Sequence, residues 1–262
     1  MKTIALILST IALACTGLVA QKQTTRPLRK PKQILFDFRV AQTSDTPKIP
    51  LATQRNVLTK VFRKYLTDES KCNPKFDAGS ETDSLKAARQ AGQIVPSILD
   101  MATGSFTVTG RPETLYVISA SECNASHADN FGTKRVAIFA GQQLIANVDA
   151  DFKSSIVAKT DLNGDGLDEL LMTGGDMNQG ILIEIAALID FQNGRLQVIE
   201  DLGTVMEDAC ASGIPGSSSK ASVVSFSDVA PGKMPRLRIE NYETSCRKAK
   251  RWKLVSTGKM QG

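Results

Sequence analysis

Thr160-Asp161-Leu162-Asn163-Gly164-Asp165-Gly166-Leu167-Asp168-Glu169-Leu170-Leu171-Met172 is the stretch on which the fold turns. A helix-loop-helix calcium hand needs a bidentate acid at loop position 12. Position 12 counted from Asp161 is Met172. The apolar run Leu170-Leu171-Met172 follows the loop directly and reads as a buried strand. The chain around this loop is therefore expected to be built from strands rather than from a helix pair.

Similar segments lie on both sides of this loop. Ser105-Phe106-Thr107-Val108 and Leu115-Tyr116-Val117-Ile118 read as strands, and Val136-Ala137-Ile138-Phe139 reaches Leu144-Ile145 across Ala140-Gly141-Gln142-Gln143 as a hairpin. Beyond the loop, Ala187 to Phe191 reaches Leu196-Gln197-Val198-Ile199 across Gln192-Asn193-Gly194-Arg195, a tight-turn signal. Leu115 to Leu170 is an offset of 55 and Leu144 to Leu196 one of 52, which marks an internal repeat. A fainter third unit runs from Val223-Val224-Ser225-Phe226 through Arg236-Leu237-Arg238-Ile239 to Trp252-Lys253-Leu254-Val255.

Upstream, Gln33 to Val40 alternates as a short strand, and a Thr/Ser/Pro-rich connector leads to Pro50. Val57, Leu58, Val61, Phe62, Tyr65 and Leu66 recur at helical spacing, and Asn73-Pro74 closes that segment. Ser84 to Gln93 predicts a second short helix, Pro96 interrupts, and Ile98 to Met101 reads as one more turn. The fold class expected is α+β, mainly antiparallel β, with propeller-blade-like meanders and a small N-terminal helical segment. About three units fall short of the four or more blades of a closed propeller. The expected division is 1–20 leader, 21–48 basic linker and short strand, 49–102 helical segment packed on the β region, and 103–262 β-rich repeat with a calcium loop at 161–169.

Composition narrows the function. Among 262 residues there are one His and 5% aromatics, so a His-rich metal centre and a stacking surface for single-stranded nucleic acid are both excluded. The net charge of +5 is a sum of opposed blocks. Lys22, Arg26, Arg29, Lys30 and Lys32 stand without an acid in 21–33, whereas residues 145–210 carry a local net of −10. The C-terminal part is basic again, with Arg236, Arg238, Arg247, Lys248, Lys250, Arg251 and Lys253. An acidic centre points to cations rather than to nucleic acid. No GxSxG, HExxH or GxxxxGK[ST] motif occurs, and His127 sits in a polar loop. The acid pairs Asp149/Asp151, Glu200/Asp201 and Glu207/Asp208 leave a carboxylate hydrolase as an alternative, but the preferred reading is not an enzyme.

Lys2 and the apolar run Ile4 to Ala14 have the form of a secretory signal. Cleavage after Ala20 gives a secreted or periplasmic protein. Ala12-Leu13-Ala14-Cys15 offers a lipoprotein alternative anchored at Cys15, with 21–33 as its tether. Four cysteines remain, Cys72, Cys123, Cys210 and Cys246, and an oxidising compartment favours two disulfides over free thiols. Three connectivities are open, of which Cys72–Cys123 with Cys210–Cys246 closes the shortest loops. No CxxC spacing supports zinc. Asn124-Ala125-Ser126 is a glycosylation sequon.

The loop itself carries the chemistry. Calcium takes six to eight hard oxygens, and Asp161, Asn163, Asp165 and Glu169 alternate with residues that can turn away. Gly164 and Gly166 permit the curl that gathers them, Leu167 offers a carbonyl, and Asp168 is expected outside the cage and exposed. From Phe152 to Gly175 the segment resembles the calcium loop of integrin-type propeller repeats, the FG-GAP or VCBS repeats, with the pattern DxNGDGxxD before an apolar strand. The resemblance implies Asp161, Asn163, Asp165, the Leu167 carbonyl and Glu169 as Ca2+ ligands, Glu replacing the usual last Asp. Lys153 and Thr173-Gly174-Gly175 depart from the family pattern, no second DxNGDG loop occurs, and Gly110-Arg111-Pro112-Glu113 at the corresponding place of the Leu115 unit cannot bind metal in the same way. The function expected is a secreted, calcium-stabilised structural or interaction module. Its partners would be an extracellular protein or polysaccharide, without nucleic acid, and with a membrane only if Cys15 is lipidated. Attachment to an anionic envelope surface is the alternative.

Overall fold

The computed structural model describes residues 32–40, 47–73, 75, 84–123, 133–227, 232–246 and 251–259. The leader, Cys15, the basic residues Lys22 to Lys30, the Asn124 sequon and His127 lie outside the described residues. Among the described residues, no helix is long and apolar enough to cross a membrane.

The chain runs β1 (Gln33–Asp37), α1 (Leu51–Phe62), α2 (Ser84–Ala91), β2 (Ile94–Gly104), β3 (Glu113–Glu122), β4 (Thr133–Ala140), β5 (Gln143–Asp151), β6 (Ser155–Thr160), β7 (Glu169–Asn178), β8 (Ile181–Gln192), β9 (Arg195–Asp208), β10 (Ser218–Ser227), β11 (Arg236–Ser245) and β12 (Lys253–Lys259). Every pairing is antiparallel. One sheet has the order β2-β3-β4-β5, and the other runs β12-β11-β10-β9-β8-β7-β6, with β1 also on β10. The sheets do not close on themselves, so the fold is mainly antiparallel β and not a closed propeller.

Three meanders stack face to face. Residues alternate sides along a strand, and the cores follow that alternation. Tyr116, Ile118, Ala137 and Phe139 face the helices, where Val57, Leu58, Val61, Phe62 and Ala88 cover them. Leu115, Val117, Val136 and Ile138 face Leu170, Met172, Ala187 and Ile189 of the β6–β9 layer. Leu171, Ala186 and Leu188 point the other way, onto Ala221, Val224, Leu237 and Phe38 of the β1/β10–β12 layer. The unbroken run Leu170-Leu171-Met172 is thus apolar because β7 is covered on both sides. The join between the last two layers is slight, since β9 pairs with β10 only where Met206, Glu207 and Asp208 meet Ala221, Lys220 and Ser219.

The turns follow the residue chemistry. Asn193 (φ 54°) and Gly194 (φ 72°) make the β8–β9 hairpin with two left-handed residues, the geometry that suits strand twist. Helix α1 stops earlier than its apolar spacing predicts, because Arg63 turns to φ 59° while its N–H bonds Thr59 O at 2.9 Å. Tyr65 and Leu66 therefore lie beyond the helix.

Three local expectations change. Ile98 to Met101 is not helical but part of β2, so the strands begin at Ile94 rather than at 103. Pro96 sits within β2 opposite Ala120, which is tolerated because β2 is an edge strand and need not donate on both sides. Ser105 to Val108 is loop, not strand, because the N–H groups of Phe106 and Thr107 are spent on Glu113. Both disulfides form as Cys72–Cys123 and Cys210–Cys246, the shortest-loop pairing. Such bridges belong to an oxidising compartment, extracellular or periplasmic.

Candidate metal site between β6 and β7

Residues 161–168 join β6 to β7, and side-chain oxygens wind them. Asp161 Oδ1 accepts the N–H of Gly164 at 2.7 Å, and its Oδ2 accepts that of Gly166 at 2.9 Å. Asn163 Oδ1 accepts from Asp165 N and Asp165 Oδ1 from Leu167 N, both at 2.8 Å. Gly166 has φ 85°, and a Cβ there would lie 2.5 Å from the Thr109 side chain, so the position needs glycine twice over.

Glu169, only 2% exposed, closes the loop. Its Oε2 accepts the Leu162 N–H at 2.6 Å, and its Oε1 accepts from Asn163 Nδ2 at 3.1 Å. The same amide nitrogen donates to Asp165 Oδ2 at 3.0 Å. Among the described residues, no Lys or Arg forms an ion pair with Asp161, Asp165 or Glu169. Burial pushes the Glu169 carboxyl up to about 7, and the Asp165 and Asp161 charges push the same way against the Leu162 N–H. The acids do not form a closed cage. Among the described residues, no three His, Cys, Asp or Glu side chains are grouped to hold a metal ion, and the Asn163 amide nitrogen bonds both Asp165 and Glu169.

Asp168 lies apart from these acids but is not exposed as expected. It is half-buried, its Oδ2 accepting Ser105 N at 3.0 Å and facing Lys159 Nζ at 3.4 Å. Its own N–H donates to Ser105 O at 2.7 Å. Gly104 makes room for this carboxylate, since a Cβ there would lie 2.3 Å from Asp168 Oδ2.

The loop between β2 and β3 repeats the plan with an arginine from within the chain. Glu113, also 2% exposed, opens β3 as Glu169 opens β7, and its Oε2 accepts Phe106 N at 2.7 Å as Glu169 Oε2 accepts Leu162 N. These pairs stand 56 positions apart, 106 to 162 and 113 to 169, which corrects the offset of 55 at this end of the repeat. Here the carboxylate is answered from within the chain. Arg111 Nη2 and Nε reach Glu113 Oε1 at 2.5 and 2.9 Å, beside the Thr107 hydroxyl at 2.5 Å. Burial pushes Glu113 up, but the bonds from Thr107, Arg111 and the two backbone N–H groups outweigh it and hold the carboxyl below its ordinary value. At the place of Arg111, the second unit has Leu167. The roles of Arg111 and Glu113 escaped the sequence reading, although aligning the two glutamates at 56 positions would have exposed them.

The other acids are dispersed. Neighbouring residues of β9 face opposite sides, so neither Glu200 and Asp201 nor Glu207 and Asp208 form a facing pair. Glu207 meets Lys220 at 3.4 Å, and Asp208 accepts from Ser219 Oγ at 2.5 Å. Asp149 is held by Arg135 at 2.5 Å. Lys153 is buried 4.5 Å from the Phe152 ring centroid, and burial lowers its pKa. Compared with family models, with curated proteins and with solved structures, the chain matches none.

Proposed function

We propose that the protein is a secreted calcium-binding β module of structural or interaction type, in which the ion orders the 161–169 loop. The observation that carries this reading is the contrast between the two buried glutamates. Glu113 has Arg111, while Glu169 has Leu167 at that place and two further carboxylates beside it. A position that takes a guanidinium in one unit is left to an external cation in the other.

The donor set suits a hard divalent ion: carboxylates of Asp161, Asp165 and Glu169, the Asn163 amide oxygen and the Leu167 carbonyl. Calcium would supply the charge that the loop lacks, and its binding energy would add to folding stability. The chain's own residues do the rest. Asp161 curls the loop through Gly164 and Gly166, and Glu169 fixes its base to Leu162. Extracellular modules bind at about 10⁻⁴–10⁻³ M, the range of a permanent staple rather than a sensor.

Calorimetric titration of calcium into the EDTA-treated chain tests the reading. Saturable heat that disappears in Asp165→Ala is the expected result. No heat at millimolar calcium, with Asp165→Ala matching the wild type, overturns it.

A further inference from the structure

A cavity of about 330 Å³ opens beside the third layer, where β9 and β10 part. The two strands pair only from Ser219 to Ala221, and at Ser222 the β10 carbonyl takes the N–H of Phe38 instead, at 2.9 Å. The fork lies next to Thr204 and Val205, which line the cavity. Its volume falls at the lower end of small-molecule sites, which run from about 300 to 1,000 Å³.

The pairing registers turn polar side chains to one face of this cavity. Residues paired across strands, or two apart along one strand, share a face. Glu207 lies opposite Lys220, Ser222 stands two residues further along β10, and Asn241 lies opposite Ser222. Thr204 and Ser256 join them through bulges. On β9, Met206 meets Glu184 but Thr204 meets Ile185, so Val205 is an extra residue and Thr204 turns to the side of Glu207. On β12, Leu254 meets Tyr242 but Ser256 meets Asn241, so Val255 is extra and the Ser256 hydroxyl comes beside the Asn241 amide. Bulges re-aim side chains in this way and are frequent beside active sites. Without them both hydroxyls would point to the opposite face.

The charges on this face cancel, since Lys220 Nζ pairs with Glu207 at 3.4 Å. The neutral groups form a chain. Ser222, 3% exposed, donates to Asn241 Oδ1 at 2.8 Å, and Asn241 Nδ2 donates to Ser256 Oγ at 2.9 Å. That chain fixes the amide and leaves capacity over. Among the described residues, the second Nδ2 N–H of Asn241, the Ser256 O–H and the Thr204 hydroxyl have no partner. Hydroxyls donate and accept at the same atom, so an uncharged set of hydroxyls and one amide matches a ligand that is itself polyhydroxylated and neutral.

We propose that this cavity binds a neutral saccharide through Thr204, Asn241 and Ser256, with Ser222 as the residue that positions Asn241. The site shares no residue with the 161–169 loop, so it stands or falls without calcium.

The test is an NMR titration of the isotope-labelled full chain with glucose, galactose, mannose and N-acetylglucosamine, and with sodium glucuronate and glucosamine hydrochloride as charged counterparts. At least one neutral sugar is expected to shift the amide signals of Thr204, Ser222, Asn241 and Ser256 saturably, with a dissociation constant of about 1–10 mM. Thr204→Val and Ser256→Val each remove one hydrogen bond and are expected to weaken binding about five- to tenfold. Both positions are exposed and valine suits a strand, so the unfolding midpoints are expected to match wild type.

No saturable shift with any of the neutral sugars at about ten times that concentration overturns the proposal. Wild-type affinity in both variants overturns it too. Tighter binding of glucuronate or glucosamine than of every neutral sugar means that Lys220 or Glu207 recognises charge, and overturns the neutral assignment. Should one variant not fold, the other decides. The titrations are run in EDTA and again in calcium chloride: sugar binding without calcium binding removes the calcium reading alone, and calcium binding without sugar binding removes the saccharide site alone.

Discussion

Replacing Glu169 with Gln is expected to raise stability without calcium and to abolish the stability that calcium adds. The folded carboxyl sits at about 7, against an ordinary value of 4.5. Below 4.5 the group is protonated in both states and costs nothing. Between 4.5 and 7 the native state alone holds the proton, so stability falls as pH rises, and above 7 the full penalty is in place. A gap of 2.5 between those values corresponds to about 3 kcal/mol at pH 8. The amide of Gln needs an acceptor of its own, so a net gain of about 2 kcal/mol is expected for calcium-free Glu169→Gln. In a chain of this size that is a rise of about 4–8 °C in the unfolding midpoint. Wild type should instead gain about 1–3 kcal/mol from 10 mM calcium at the affinity of extracellular modules, and the variant nothing. Differential scanning calorimetry at pH 8 and at pH 5, in EDTA and in calcium, reads all four states. An EDTA midpoint of Glu169→Gln at or below wild type at pH 8, or a calcium shift equal to that of wild type, refutes the reasoning.

Gly166→Ala combines a left-handed backbone with the 2.5 Å approach to Thr109, and a loss of about 1–3 kcal/mol in urea unfolding is expected whether or not calcium is present. Leu171→Ala opens a cavity between the second and third layers, and the same measurement should fall by about 2–5 kcal/mol. Glu113 is held below its ordinary value, so its stabilisation is complete above about 4.5 and is lost as pH falls through the lowered value. Acid unfolding of Glu113→Gln should accordingly show a shallower pH dependence than wild type below that point. Reduction of the two bridges, which close spans of 51 and 36 residues, should cost about 2–5 kcal/mol each, seen as a fall in unfolding midpoint with dithiothreitol.

Local pattern disclosed what local forces decide. Asn193-Gly194 reads as a hairpin turn because both residues accept left-handed backbone, and Leu170-Leu171-Met172 reads as a doubly covered strand because no position in it is polar. The residues that misled are those whose partners are distant or whose hydrogen bonds go to side chains. Phe106 and Val108 alternate like a strand, yet the backbone between them serves Glu113. Pro96 looks like an interruption because edge position is a property of the sheet, not of the segment. At the candidate site, the oxygen spacing of Asp161, Asn163, Asp165 and Glu169 was legible in sequence. The tether of Asp168 to Ser105 was not, since it spans 63 positions and joins the β2–β3 loop to the β6–β7 loop.

The pairing of β1 with β10 sets the order in which the protein can be finished. Gln33 meets Phe226 and Asp37 meets Val223, so the first strand made is completed by one of the last. At ribosomal speeds of about 5–20 residues per second, roughly 190 residues pass in about 10–40 s before that partner exists. Throughout that interval Leu35, Phe36 and Phe38, which end in the third core, have no layer to enter. Deleting β1 or β12 should therefore injure the same layer, and a delay in translation should leave an apolar N-terminal strand open to chaperones or to another chain.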